Sequence, residues 1–278
     1  MFDYRKYLRM SKMPHIWCPG CGDGIVMKAL IRAVDKVGLD KDKVALVSGI
    51  GCSSRLPGYM DFNTLHTTHG RPLAFATGIK MVRPELHVLV VTGDGDATAI
   101  GGNHFIHACR RNIGMTVILF NNSIYGMTGG QYSPTTPEGF RTSTSPYGHV
   151  ENAFDIGGLA VAAGANFVAR STTHHVVHLS RMLEVAMQKK GFRLVEVICQ
   201  CPTYFGRKNR QLWASDMMNW YKEISVNVEK AKGMSPEELE GKVVIGVLAD
   251  RDRPEYTEQY EKVIATAQEE VRLAEARL

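Results

Sequence analysis

Residues 88–131 read VLVVTGDGDATAIGGNHFIHACRRNIGMTVILFNNSIYGMTGGQ, and the order of residue types in this stretch decides the fold. Residues 88–92 are an unbroken aliphatic and β-branched run, the pattern of a buried strand, and they stop at a glycine turn. Residues 98–111 have helical character, weakened at their start by Gly101 and Gly102, and residues 116–120 read as a second buried strand. Strand, helix and strand in this order make a βαβ unit, so the two strands lie parallel and their carboxyl ends share one edge of the sheet. Open parallel sheets bind their ligands at that edge. Gly93-Asp94-Gly95 ends the first strand and Asn121-Asn122 the second, with 25 residues between the two motifs.

Those residue types suit one chemistry. Gly93 and Gly95 let the backbone come close to a phosphate and point amide N–H groups at it. Asp94 and the side-chain oxygen of Asn122 are hard oxygen donors, the kind that hold Mg²⁺ together with phosphate oxygens. The pair reads as a clamp on a metal-bound diphosphate; the alternative is two ordinary turns after strands. A Gly-Asp-Gly alone is common, but followed by Asn-Asn at this spacing it is similar to the diphosphate motif of thiamine-dependent enzymes.

Outward from the clamp, 278 residues suit one large α/β domain or a domain with an extension. An apolar fraction of 44% supports an ordinary core, and the net charge of +5 without a dense Lys/Arg block argues against nucleic acid as partner. No apolar run reaches membrane-spanning length, and the start MFDYRKYLRMSK has no signal-peptide core, so a cytoplasmic protein is expected.

Six cysteines are too few for a disulfide scaffold of this size, but their placement is informative. Cys18-Pro19-Gly20-Cys21 precedes an amphipathic helix from about residue 25 to 37, Cys52 stands alone in Gly51-Cys52-Ser53-Ser54 after a strand at 44–47, and Cys199 and Cys201 follow a strand at 193–198. A thioredoxin-type dithiol would follow a strand, and a zinc site would show a second pair nearby; neither is present. Dispersed cysteines on strand-end loops suit an iron–sulfur cluster, whose ligands can come from separate loops. Spacing leaves Cys199 and Cys201 both open, although Cys199 continues the strand while Cys201 starts the loop. Cys109, inside the helix after the clamp, reads as a small core residue.

His66-Thr67-Thr68-His69-Gly70-Arg71 lies before an Ala/Gly-rich helix at 74–81, where a helix N-terminus favours a phosphate or carboxylate, or is merely capped. Residues 129–149, rich in Gly, Ser, Thr and Pro, lie at the ligand edge and read as a loop that covers the site or meets a partner. Helices are expected at 154–163 and 175–189, with strands at 167–169 and 193–198, an alternation that means an α/β fold with a mostly parallel sheet flanked by helices. Beyond Arg210 we expect a helix over 212–232, a strand at 243–248 and a charged helix over 256–278. This divides the chain into a cofactor domain, 1–210, and a C-terminal extension, 211–278, contacting a neighbouring subunit.

The motifs WCPGCGDG (17–24), SGIGCSSR (48–55), HTTHGRPLAFATGIK (66–80), the clamp, IYGMTGGQYSPTTP (124–137) and CPTYFGRKN (201–209) together resemble the β subunits of 2-oxoacid:ferredoxin oxidoreductases, most of all those acting on 2-oxoglutarate. The resemblance spans nearly the whole chain. It implies a thiamine-diphosphate-binding fold of the diphosphate (PP) type, thiamine diphosphate with Mg²⁺, and one [4Fe–4S] cluster. Matched residue by residue, it assigns the cluster to Cys18, Cys21, Cys52 and Cys201, and Mg²⁺ to Asp94, Asn122 and the carbonyl of Ile124. The cofactor pocket would comprise Ile50, Gly51, Cys52, Ser53, His69, Gly93, Asp94, Gly95, Asp96, Asn122, Ile124, Gly126, Met127 and Thr128, with His69 the one candidate catalytic side chain. Arg207 and Lys208 are candidates for the distal substrate carboxylate or CoA phosphates, against the alternative of a solvated face. Pyruvate-specific members carry Asn where Met127 stands, which points away from pyruvate. The implied reaction converts 2-oxoglutarate, CoA and oxidised ferredoxin to succinyl-CoA, CO₂ and reduced ferredoxin, in either direction. The alternatives are the same reaction on pyruvate or branched-chain 2-oxoacids, or a non-redox thiamine decarboxylase subunit. The implied partners are an α (or fused α/γ) subunit that supplies a pyrimidine-binding domain and its Glu, ferredoxin, CoA and the 2-oxoacid, in an (αβ)₂ assembly.

Overall fold

The computed structural model describes residues 2–276. One eight-stranded sheet runs through it in the order β2-β1-β3-β4-β6-β5-β8-β7. Its strands are β1 (Val44–Ser48), β2 (Asn63–His66), β3 (His87–Gly93), β4 (Met115–Asn121), β5 (Phe167–Thr172), β6 (Phe192–Ile198), β7 (Ser225–Asn227) and β8 (Val243–Asp250). The first six are parallel to one another. β8 joins β5 antiparallel, and β7 closes the edge parallel to β8.

Strand alternation sorts the core into two layers. Leu46, Leu89, Val91, Ile118, Phe120, Val195 and Val197 face α1 (Asp23–Val37) and α5 (Val176–Gln188). The intervening Ala45, Val47, Val88, Val90, Val117, Leu119 and Leu194 face α2 (Pro72–Val82), α3 (Gly102–Arg111) and α4 (Ile156–Ala162). Both faces are covered, which is why these strands read as continuous apolar runs. β1 pairs with β2 on one side and β3 on the other, so the chain order reverses between β1 and β3. That switch point opens a crevice beyond their carboxyl ends.

The helix expected over 98–111 begins at Gly102, because Asp96–Ile100 forms a wide π-type turn first. β2 has no counterpart in the sequence reading: it is a largely exposed edge strand and carries no apolar pattern. The single helix expected over 212–232 is three elements, α6 (Ala214–Ile224), β7 and α7 (Val228–Ala231), followed by a short α8 (Pro236–Leu239). The break falls where local polar side chains compete with the helix: Ser225 Oγ donates to the Tyr221 carbonyl, and Asn227 Oδ1 accepts from the Glu229 amide at 2.9 Å. The last helix, α9 (Tyr256–Glu275), is as expected in place; residues 277 and 278 lie outside the described residues. Among the described residues no helix is long and apolar enough to cross a membrane.

The segment after β8 is strapped to the domain by buried polar bonds. Asn112 donates to the Arg253 and Pro254 carbonyls at 3.1 and 2.9 Å and accepts from the Phe192 amide at 2.7 Å. Buried Glu255 accepts from the Gly114 amide at 2.7 Å, from the Thr257 hydroxyl, and from the Glu258 amide at 3.0 Å, which caps α9. Glu255→Ala leaves that buried Gly114 N–H unpaired and α9 uncapped, so we expect about 2–4 kcal/mol of lost stability, read from denaturant unfolding. Glu255→Gln, which keeps an acceptor oxygen, is expected to lose less.

Candidate active site

Four parallel strands deliver the site to one edge. β1 leads into Gly49-Ile50-Gly51-Cys52, β3 ends at Gly93 beside Asp94, β4 ends at Asn121 beside Asn122, and β6 leads into Cys199-Gln200-Cys201. All fourteen residues expected to form the cofactor pocket line one cavity of about 110 Å³, joined there by Phe120 and Tyr125. Its floor admits no side chain at Gly95, where an added Cβ would stand 2.3 Å from the Tyr125 ring.

Asp94 is buried, and its Oδ2 accepts from Ser133 Oγ at 2.6 Å and from Thr135 Oγ1. Burial pushes its carboxyl up to about 6, against the pull of those two hydroxyls. A cation at Asp94 would draw the group back to the anion, since metal ligands bind deprotonated. The two asparagines divide their work. Asn121 Nδ2 donates to Glu196 Oε1 at 2.8 Å while its Oδ1 accepts from Thr135 at 2.9 Å, so Asn121 holds the scaffold. Asn122 Oδ1 is buried with no hydrogen-bond partner among the described residues. A buried acceptor left open beside a buried carboxylate, over a glycine cradle, fits a divalent cation carrying a diphosphate.

Asp96 serves the loops around the cavity. Its Oδ2 accepts from Thr92 Oγ1 at 2.6 Å, and its Oδ1 accepts from the Gly70 and Ile50 amides at 2.7 and 3.2 Å. His69 Nδ1 lies 2.5 Å from the same Oδ1, which fixes the ring at the cavity wall. Gly49 is required here, because a Cβ would fall 2.0 Å from Asp96 Oδ2.

Cys18, Cys21, Cys52 and Cys201 line a second cavity of about 230 Å³. It shares Cys52, Asn122, Gly126 and Met127 with the first, so the two sites adjoin. A Cβ on Gly126 would meet Cys52 Sγ at 3.5 Å and Cys201 Sγ at 3.6 Å. The Gly22 amide donates to the Gln200 carbonyl at 3.0 Å and Trp17 Nε1 to the Cys52 carbonyl at 2.8 Å, bringing three loops together. Cys199 lies in the core and does not line the cavity, and Cys109 is buried among apolar residues of the other layer.

Burial raises the Cys52 thiol to about 12 and the Cys21 thiol higher still. A thioredoxin-type dithiol follows a strand, whereas the Cys18–Cys21 turn is preceded only by short helical turns and leads into α1. Among the described residues no three His, Cys, Asp or Glu side chains converge closely enough to hold one metal ion. Four thiols around one cavity without single-ion convergence fit a polynuclear cluster better than zinc. Arg207 and Lys208 are exposed on the Arg207–Asn209 turn and line neither cavity.

Two features escaped the sequence reading. The hydroxyls of Ser133 and Thr135 that grip Asp94 come from the Gly/Ser/Thr/Pro loop; the run Ser133-Pro134-Thr135-Thr136-Pro137 was their only signal. Asp23, first residue of α1, is fully buried, and neither oxygen meets an N–H or O–H donor among the described residues. Burial pushes it up to about 7, offset by the weak Cys21 thiol donor and raised further by the charge of Asp94. A carboxyl raised in this way costs stability once it ionises, so the penalty is absent below its usual value of 3.8 and complete above about 7. Asp23→Asn is therefore expected to stabilise the cofactor-free chain at pH 8 by about 1–3 kcal/mol and to change nothing near pH 3.5, measured by urea unfolding.

A parallel sheet with an acid–amide clamp over a glycine cradle at its switch point defines a domain of the thiamine-enzyme class. A family model described as thiamine pyrophosphate enzyme, C-terminal TPP binding domain, matches residues 49–197. The 2-oxoglutarate synthase subunit KorB of Methanocaldococcus jannaschii is 55% identical over 259 residues, covering 93% of this chain and 96% of its own. The subunit of the same name from Archaeoglobus fulgidus is 51% identical over 261 residues, 94% of either chain. A solved structure of 2-oxoglutarate:ferredoxin oxidoreductase from Magnetococcus marinus, with 2-oxoglutarate, coenzyme A and succinyl-CoA bound, superposes with a TM-score of 0.86 at 33% identity, over 96% of this chain and 91% of that one. The chain belongs to the thiamine pyrophosphate enzyme family, as a β subunit of the 2-oxoglutarate synthase type.

Proposed function

We propose that this chain is the thiamine-diphosphate- and cluster-bearing subunit of an enzyme that interconverts 2-oxoglutarate, CoA and oxidised ferredoxin with succinyl-CoA, CO₂ and reduced ferredoxin. The observation that carries the proposal is the adjacency of the two cavities. The Asp94/Asn122 clamp and the four thiols meet at Cys52, Asn122, Gly126 and Met127. When bound, the thiamine cofactor supplies the nucleophilic carbon for attack on the 2-oxoacid, and the cluster a one-electron outlet.

The chain's own residues do the placing. Asp94, Asn122 and the Ile124 carbonyl hold Mg²⁺, and the backbone around Gly93 and Gly95 receives the diphosphate. Asp96, pinned by four protein donors, locks the 49–52 and 69–70 loops against the clamp and sets His69 at the cavity wall. Ile50 and Met127, both lining the cofactor cavity, are 38% and 47% exposed. Apolar walls left open to water call for a covering chain, which supports an α subunit; the family resemblance implies that its pyrimidine-binding domain brings the activating Glu, in an (αβ)₂ assembly. Met127 lines the cavity where the pyruvate-specific members that the chain resembles carry Asn, which supports 2-oxoglutarate rather than pyruvate as substrate.

The test is anaerobic co-production with the partner subunit, followed by iron and thiamine analysis, EPR, and CoA-dependent reduction of methyl viologen by 2-oxoglutarate, pyruvate and branched-chain 2-oxoacids. Bound iron and thiamine with turnover fastest on 2-oxoglutarate are expected. A thiamine-loaded complex that contains no iron and reduces no acceptor would sink the redox reading, and equal rates on all substrates would sink the substrate assignment.

A further inference from the structure

The surface around the open end of the cysteine cavity takes no part in holding either cofactor. Cys18 is the exposed member of the four thiols, and Ile16 beside it is 67% exposed. Beyond Cys201 the chain makes the wide π-type Pro202–Gly206 turn, and the Gln211 amide then donates back to the Gly206 carbonyl at 2.9 Å. That fold-back displays Arg207, Lys208 and Arg210 to solvent and returns the chain to the C-x-x-C turn: a Cβ on Gly20 would touch Ala214 Cβ at 2.7 Å. The two residues before Ala214, Leu212 and Trp213, are 61% and 70% exposed. Arg55 lines the same cavity, and Arg141 is held beside the 207–210 turn by paired bonds with Asn209 at 2.8 and 3.0 Å.

None of these five cations forms an ion pair among the described residues, so their positive charge around this one opening is left uncompensated. The acidic neighbour, Asp216, is occupied in capping the Trp213 amide at 3.1 Å. An exposed tryptophan and two aliphatics ringed by unpaired cations is the composition of an interface core with a charged rim. Its position at the exposed thiol gives it a purpose.

We infer that the face formed by Ile16, Leu212 and Trp213, with Arg207, Lys208 and Arg210 at its rim, is the docking surface for a small acidic iron–sulfur electron carrier. The inference rests on the proposed cluster at Cys18, Cys21, Cys52 and Cys201. Charge on the rim steers the carrier, and the apolar centre seats it beside the electron outlet; redox encounters of this kind use small, salt-sensitive interfaces. The same face gives Arg207 and Lys208 a use that their absence from the cofactor cavity otherwise leaves unexplained.

The test compares the anaerobic αβ holoenzyme with its Arg210→Glu and Trp213→Ala variants, using an acidic ferredoxin and methyl viologen as alternative acceptors. We expect the KM for ferredoxin to rise about tenfold or more in Arg210→Glu, and its salt dependence to flatten, as the loss of one steering charge requires. Trp213→Ala should raise the same KM at every salt concentration. Viologen reduction and the KM for 2-oxoglutarate should not move. Unchanged ferredoxin kinetics in both variants would overturn the docking face. In Lys208→Glu, a raised KM for 2-oxoglutarate or CoA with unchanged ferredoxin kinetics would overturn it in favour of a substrate role. Wild-type holoenzyme that reduces neither acceptor would overturn the proposed function beneath it.

Discussion

Asn122→Ala is expected to lower the affinity for Mg²⁺ and thiamine diphosphate by about 10²-fold or more while leaving the stability of the cofactor-free chain within about 0.5 kcal/mol of wild type. The two halves of that expectation come from one atom. Asn122 Oδ1 has no hydrogen-bond partner among the described residues, so its removal breaks no bond of the fold through that atom. The neighbouring Asn121 gives the opposite result. It bridges Glu196 at 2.8 Å and Thr135 at 2.9 Å, so Asn121→Ala should cost about 2–3 kcal/mol of stability before any ligand is added. Asp94→Ala should abolish cofactor retention outright, because it removes the anionic ligand and takes from the Ser133 and Thr135 hydroxyls the carboxylate they share. Calorimetric titration with Mg²⁺ and thiamine diphosphate, paired with urea unfolding of each variant, checks both halves. If Asn121→Ala lost affinity and kept its stability while Asn122→Ala did the reverse, the division of labour between the two asparagines would be wrong.

That division marks where sequence reading stops. The strand runs at 88–92 and 116–120, the βαβ order and the 25-residue spacing are enough to place the clamp at a sheet edge, because buried parallel strands leave an unmistakable apolar signature. The helix and strand alternation through residue 198 is legible for the same reason. The region beyond residue 210 is not: Ser225 and Asn227 break a pattern that helical periodicity alone carries through, and β8 enters the sheet antiparallel, an orientation on which an apolar run is silent. The site divides similarly. Ligand types are visible as motifs, whereas the fully buried, unpartnered Asp23 looks like any acidic residue at a helix start, a place where Asp is ordinarily exposed and favourable. Ser133 and Thr135 lie 39 and 41 residues along the chain from Asp94, a contact made by loop geometry and not by local pattern.

The cysteines pose the sharpest test of proximity against chemistry. Cys199 and Cys201 are two residues apart, both buried, and both have thiols raised by burial. Their backbones separate them. The Cys199 amide still donates to the Asn121 carbonyl at 2.9 Å, continuing the sheet, and its side chain joins the core layer against α1. By Cys201 the chain has left the sheet: its carbonyl accepts from the Phe205 and Gly206 amides at 3.1 and 3.0 Å, opening the turn that aims the thiol at Gly126. Cys201→Ser should therefore yield αβ enzyme that binds thiamine diphosphate but has lost the intact [4Fe–4S] EPR signature and most of its iron. Cys199→Ser should keep full iron and the wild-type spectrum, and instead unfold more easily by about 1–3 kcal/mol, the cost of a hydroxyl where nothing offers it a partner. Iron retained by the Cys201 variant and lost by the Cys199 variant would mean that the chain rearranges around the cluster, drawing the core cysteine out of the sheet. That would require breaking the Cys199–Asn121 ladder bond and would loosen the strand end that carries Asn122, so thiamine affinity in the same two variants would register the rearrangement independently of the iron.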